Sequence, residues 1–385
     1  MTVAPPRGFP ESEFEARLAR AQQSMAEGSI DALLLTTDPD VRYFSGFLTQ
    51  FWQSPTRPWF LVIPSTGRPV AVIPEIGEPL MSRTWVDDIR TWPSPFPADE
   101  GVSLLAEVLA DTATLGVLMG PETTLRMPLQ DFARLQSILA ETAFVDATGL
   151  MSELRMAKSE AEISKISHIC AVASDAFAAV GDLARAGQPL SETCRRFKIE
   201  LLESGADDVP DLVGASAPGG YTDVISPPGD RLLEEGDILM MDTGAIFDGY
   251  FCDFDRNFAI GRVDDQSKAA YDVLYRATDA GLQAVRPGAR CDEVYRAMRA
   301  VISDSGYQLS NVGRFGHGLG MQLTEKPSLT SADQTVLKPG MVLTLEPGLQ
   351  IGPGRSRVHE EDVVVTDDGA ELLTRRAPAE LPVIT

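Results

Sequence analysis

The sequence is short of histidine, cysteine and positive charge, with three histidines, four cysteines and 33 lysines and arginines among 385 residues. The cysteines, Cys170, Cys194, Cys252 and Cys291, are far apart and form no C-x-x-C pair. That argues against a disulfide framework and predicts four reduced, buried, small apolar side chains. Against the 33 basic residues stand 56 acidic ones, a net charge of −23. Nucleic-acid phosphates would be repelled, so no nucleic-acid partner is expected, and a soluble acidic surface is. No run of 18 apolar residues occurs, so neither a membrane-spanning helix nor a membrane partner is expected. The first residues, MTVAPPRGFPESEFEARL, have no apolar stretch after a basic patch. No secretory signal is expected, and a cytoplasmic location is the default. Low-complexity tracts and short-period repeats are missing as well.

What is present suits a globular protein: 44% apolar residues and a length that suggests about two domains. Residues 11–27 have helical spacing at Phe14, Leu18 and Met25, and Ala32–Thr37 reads as a buried strand. Strands at Trp59–Pro64 and Val70–Ile73 flank the turn Ser65-Thr-Gly67. Helix and strand signals then alternate to Asp146, which predicts an α/β layer domain over residues 1–155. Nothing in it suggests chemistry of its own. Ser159-Glu-Ala-Glu162 is a capping box opening a long helix, so a second domain is expected over residues 156–385. Further helices are expected near 191–204, 265–285 and 292–305, and strands at 314–323, 341–351, 357–366 and 371–374.

Within the second domain, Gly236 to Gly261 reads as two strands joined by a short glycine-containing turn, carrying Asp242 and Asp253 among apolar neighbours. An ionised carboxylate stripped of water costs several kcal/mol unless a cation compensates. His317 between glycines, Glu346 before Pro347-Gly348 and Glu361 before a valine run make five such positions. Each alone reads as a turn, cap or loop residue. Together, four carboxylates and one imidazole would repel unless neutralised, and two divalent ions balance four negative charges. An oxygen-rich site with one histidine suits Mn²⁺, Co²⁺, Fe²⁺ or Zn²⁺, and such a pair is suited to hydrolysis.

The pattern Asp242, Gly244, Gly249-Tyr250, Asp253, Arg256, Gly316-His317-Gly318, Gly320, Glu325, Pro327, Glu346-Pro347-Gly348, Glu361 and Asp362 resembles that of the pita-bread metallopeptidases. The match covers residues 158–385, and Val41-Arg-Tyr-Phe-Ser-Gly46 resembles the creatinase-type N-terminal domain. The branch implied is that of prolidase, aminopeptidase P and creatinase. The resemblance implies an α/β N-terminal domain and an α+β pita-bread catalytic domain. It also implies two divalent metal ions held by Asp242, Asp253, His317, Glu346 and Glu361, with Glu346 and His317 catalytic and Glu346 moving protons. The expected activity is hydrolysis of an amide C–N bond in a dipeptide, of the Xaa-Pro type, by a homodimer. Trp52, Arg57 and Trp59 would be candidates for a substrate wall.

Two departures stand out. The family's histidine ahead of the first aspartate has no counterpart in Tyr221–Pro228, and the histidine before Glu325 is replaced by Thr324. Substrate contacts are therefore expected at Thr324, Tyr221, His359 and Asp255, the last at a position where the family has threonine. These departures open an alternative: a hydrolase or lyase of a small zwitterionic metabolite, resembling creatinase, ectoine hydrolase or dimethylsulfoniopropionate lyase. A non-catalytic binding module is a third reading, disfavoured by the full set of ligand-type residues.

Overall fold

A computed structural model describes residues 3–54, 57–311 and 313–385. The described residues divide into two compact units, Pro6–Arg155 and Met156–Thr385, with residues 3–5 grouped with the second. The first is built on a six-stranded mixed sheet in the order Asp88–Trp92, Val70–Pro74, Phe60–Pro64, Ala32–Leu35, Thr114–Val117 and Ala143–Asp146. Ala32–Leu35 is central and buried along its whole length, as its unbroken apolar run requires. The helices Glu11–Gly28, Val102–Val108 and Leu129–Ile138 accompany the sheet, giving the expected α/β unit. Trp59 is 2% exposed and packs against the rings of Phe47 and Trp52, while the Arg57 guanidinium lies over Phe51. In this unit, Trp59 is a core residue.

The second unit holds two larger sheets, each backed by a pair of helices. One sheet runs Val383–Ile384, Phe254–Ile260, Asp237–Phe247, Asp208–Pro218. Behind it lie Glu160–Ala178 and Leu190–Glu203, with Phe177 packed on both Phe197 and Phe254. Ser159 caps the first of these helices in the reciprocal capping box that its sequence predicts. The other sheet runs Glu325–Ser328, His317–Gly318, Val342–Leu345, Glu361–Val365, Ala370–Leu372. Leu343, Leu345, Val363 and Val365 pack there against Leu274, Ala277, Val294 and Met298 of the helices Asp265–Ala284 and Cys291–Asp304. All four cysteines are free and buried, as expected. No helix among the described residues is long and apolar enough to cross a membrane.

Three local departures from the sequence reading matter for the site. Asp208–Pro218, eleven residues containing Pro210, Gly214 and Pro218, is a strand that its composition hides. It forms because Asp237–Phe247 offers a partner over nearly its whole length. The expected strand over 314–323 shrinks to His317–Gly318, with a register irregularity between those two residues. The expected strand over 341–351 is interrupted at Glu346 and Pro347, where proline has no N–H for the ladder.

Candidate active site

A cleft of about 580 Å³ opens on the faces of these sheets in the second unit. Strand alternation explains its floor. Asp242 lies opposite Val213 on one neighbouring strand and Asp255 on the other, and Gly244 lies opposite Asp211. Side chains two residues apart share a face, so Asp211, Asp242 and Asp255 are gathered on one side of the sheet. Asp253, two residues before Asp255, lines the cleft with Asp242 and Asp211.

The second sheet contributes His317, Glu346 and Glu360. His317 is placed by backbone that only glycine permits on either side. A Cβ on Gly316 would overlap the carbonyl oxygen of Thr344, and one on Gly318 that of Lys326. The Nδ1 of His317 is 2.9 Å from the carbonyl oxygen of Gly318. A carbonyl only accepts, so Nδ1 carries the proton and Nε2 is turned to the acids. Nε2 lies 3.3 Å from Asp253 Oδ2 and 3.7 Å from Glu346 Oε1. Ligand-type atoms of Asp253, His317 and Glu360 all fall within 4.8 Å of one another.

Charge in this cluster is poorly compensated by protein. Burial pushes the Asp242 carboxyl well above the ordinary carboxylate range, and repulsion from Asp253 and Asp211 adds to it. Burial does the same at Asp253, with Glu346 and Asp211 adding, and at Glu360, with Asp253 and Asp242 adding. Glu346 is also raised by burial, partly offset by His317 and Arg314. Oδ1 of Asp242 and Oε1 of Glu360 are buried without a hydrogen-bond partner. Such orphaned oxygens, beside an imidazole nitrogen, are a donor set that fits divalent cations.

Of the five residues expected to bind metal, the structure brings Asp242, Asp253, His317 and Glu346 to this cleft and leaves Glu361 out of it. The Glu361 carboxylate is fully buried elsewhere. It accepts from Arg256 Nη2 at 2.9 Å, Arg376 Nη1 at 3.0 Å, the Ala377 amide at 2.9 Å and the Thr374 hydroxyl. The reason is strand parity. Glu361 shares its face with Val363 and Val365, which pack on the helices, whereas Glu360 points the other way. Asp362, also on the Glu360 side, accepts from the Asp253 amide at 3.0 Å and so fixes that loop.

Three of the expected substrate contacts are likewise structural. His359 is buried between Tyr271 and Tyr275, with Nδ1 3.1 Å from the Thr278 hydroxyl. Burial, then Arg376 and Arg256, hold its pKa well below the ordinary value, so it is neutral. The Tyr221 hydroxyl accepts from the Val358 amide at 2.8 Å and donates to Asn257 Oδ1 at 3.2 Å, away from the cleft. Asp255 lies beside Asp242 on the neighbouring strand but outside the cleft lining, with one oxygen accepting from Asn257 Nδ2 at 2.6 Å. Thr324 does line the cleft, its hydroxyl 3.4 Å from Arg314 Nη2. Sequence reasoning missed Glu360, Asp211 and Arg314. The doubled glutamate at 360–361 was a signal for the first; Asp211 sat in a segment that does not read as a strand.

The chain is similar to known proteins along nearly its whole length. Residues 164–368 match the model of metallopeptidase family M24, and residues 17–157 that of the creatinase/prolidase N-terminal domain. The chain is 29% identical over 392 residues to a probable dipeptidase, PepE, of Mycobacterium tuberculosis, covering 98% of each. It is 28% identical over 367 residues to an Xaa-Pro dipeptidase of Pyrococcus furiosus, covering 94% of this chain and 98% of the relative. The crystal structure of dipeptidase PepE from Mycobacterium ulcerans superposes with a TM-score of 0.85 at 29% identity, covering 98% of this chain and 99% of that one. The prolidase of Pyrococcus horikoshii, at 23% identity and a TM-score of 0.82 over 94% of this chain and 99% of its own, shares the fold.

Proposed function

The chain belongs to metallopeptidase family M24, and from that premise we propose that it is a dipeptidase of the Xaa-Pro type with two divalent ions in its cleft. Asp242, Asp253, His317, Glu346 and Glu360 would hold them. The observation that carries the reading is the convergence of these side chains, with unpartnered oxygens, in one buried cleft. The names of the relatives from M. tuberculosis and P. furiosus support the peptide substrate. A homodimer, a cytoplasmic location and manganese as the ion belong to the same reading.

When bound, the ions supply Lewis acidity, neutralising the carboxylates and acidifying a water molecule. The protein's share is positioning and proton transfer. Glu346, its side chain 23% exposed and its Oε1 3.7 Å from His317 Nε2, is suited to take a proton from the attacking water and pass it to the departing nitrogen. His317, with Nδ1 tied to the Gly318 carbonyl, keeps Nε2 aimed at the reacting end. Thr324 offers one hydroxyl where the family has an imidazole, a weaker donor to a developing oxyanion.

Purified protein is expected to hold up to two divalent ions per chain, to lose hydrolysis of Ala-Pro on chelation, and to regain it with Mn²⁺ or Co²⁺. Full activity in metal-free protein would overturn the reading. Thr324 favours the second reading, a small zwitterionic metabolite as substrate. Turnover of creatine- or ectoine-like amides with none of Ala-Pro would select it.

A further inference from the structure

We propose that Asp211 is the specificity-determining residue of this cleft and receives a protonated amine of the substrate. The inference rests on reading the cleft as a peptidase active site. Asp211 lies in the strand Asp208–Pro218 opposite Gly244, two pairs along from Val213 and Asp242 and so on the same face. The absence of a side chain at Gly244 leaves the space that Asp211 and Leu323 enter. A Cβ there would stand 3.2 Å from the Asp211 Cβ and overlap Leu323. Asp211 thus faces the same space as Asp242 and Asp253, and its charge bears on both.

Its carboxylate forms no hydrogen bond or ion pair with any described residue, although it is half-buried. The other acid outside the metal set that lines the cleft, Asp223, is already engaged. It accepts from the Ile225 amide at 2.9 Å, the Ser226 amide at 3.0 Å and the Ser226 hydroxyl. Two divalent ions balance Asp242, Asp253, Glu346 and Glu360, and the cleft's arginine, Arg314, sits by Glu346, 4.0 Å from its Oε1, so Asp211 has no ion-pair partner of its own among the described residues. A partly desolvated carboxylate without a donor is stabilised by a cation brought to it. Val213 and Leu323 beside it supply an apolar wall for the carbon skeleton that carries such a cation. The amine has two sources in a dipeptide, its amino terminus or a basic side chain.

Three compounds separate them on metal-loaded protein: Lys-Pro, norleucyl-proline, and N-acetyl-norleucyl-proline. If the side chain is the source, KM for Lys-Pro is at least about tenfold below that for norleucyl-proline. If the amino terminus is, the two dipeptides are equal and the acetylated one is at least about tenfold weaker. Either gap should vanish in Asp211→Asn, and in Asp211→Ser should the first variant fold poorly, with bound metal unchanged. The proposal is overturned by a wild type with no gap, by a gap that survives both variants, or by variants that lose metal, since Asp211 would then be a ligand. Calorimetric Kd values for the same compounds read the same gaps without turnover. A gap in Kd that Asp211→Asn removes, with no hydrolysis, sinks the peptidase reading and leaves this one standing. No binding of any compound sinks both.

Discussion

Replacing Glu360 and Glu361 one at a time separates two tasks carried by adjacent, chemically identical side chains. Glu361→Gln takes the charge from a buried carboxylate that holds Arg256 and Arg376. Breaking such a pair costs about 3 kcal/mol, so the thermal midpoint should fall by roughly 6–12 °C with bound metal retained in the folded fraction. Glu360→Gln relieves repulsion in the metal-free chain, so its midpoint should hold or rise, while metal affinity drops at least about tenfold. Metal analysis and thermal unfolding of both variants check this. A Glu361→Gln protein with normal stability and no metal would restore the assignment made from sequence. The choice of Glu360 over Glu361 was not recoverable from the chain alone. Val363, Val364 and Val365 are all apolar, so the run after the two glutamates carries no alternation to show which one faces the core. The same holds for His359: its distance from Glu361 was legible, but not that Tyr271, Tyr275 and Arg376 close around it.

At the scale of elements, the hairpin that carries His317 depends on glycine for close backbone approach, not for a turn. A methyl group on Gly318 meets the Lys326 carbonyl, backbone that cannot swing aside. Gly318→Ala is therefore expected to cost at least about 2 kcal/mol and to reduce metal binding by displacing His317. Denaturant unfolding and metal titration of the variant test it, and a fully stable, metal-binding Gly318→Ala protein would contradict the close packing. The glycines on either side of His317 were plain in the sequence. What they approach was not, because Thr344 and Lys326 come near only when the sheet is assembled. The strand Asp208–Pro218 is the opposite case. Its prolines, glycine and acids disfavour a strand, and pairing with Asp237–Phe247 overrides them.

For the molecule as a whole, the acid cluster sets how stability should vary with pH. Burial raises the carboxyls of Asp242, Asp253, Glu346 and Glu360, and repulsion adds to it at Asp242, Asp253 and Glu360. Raised values mean that the folded chain holds more protons than the unfolded one above the ordinary carboxylate range, near about 4. The stability they contribute is complete below that range and is lost as pH climbs through the raised values. Metal-free protein should accordingly melt at a lower temperature at pH 8 than at pH 5, and metal-loaded protein should show a much flatter profile. Thermal scans of both forms across that range decide it, and metal-free protein more stable at pH 8 would reverse the sign. The residue types, their order and their incompatibility with an uncompensated apolar interior were written in the sequence, because desolvation of charge is a property of each side chain. Which oxygens meet was decided by tertiary structure alone. Strand parity selected Glu360 over Glu361, and sheet register brought Asp211 beside Asp242, since neither parity nor register is fixed until a strand has its neighbours.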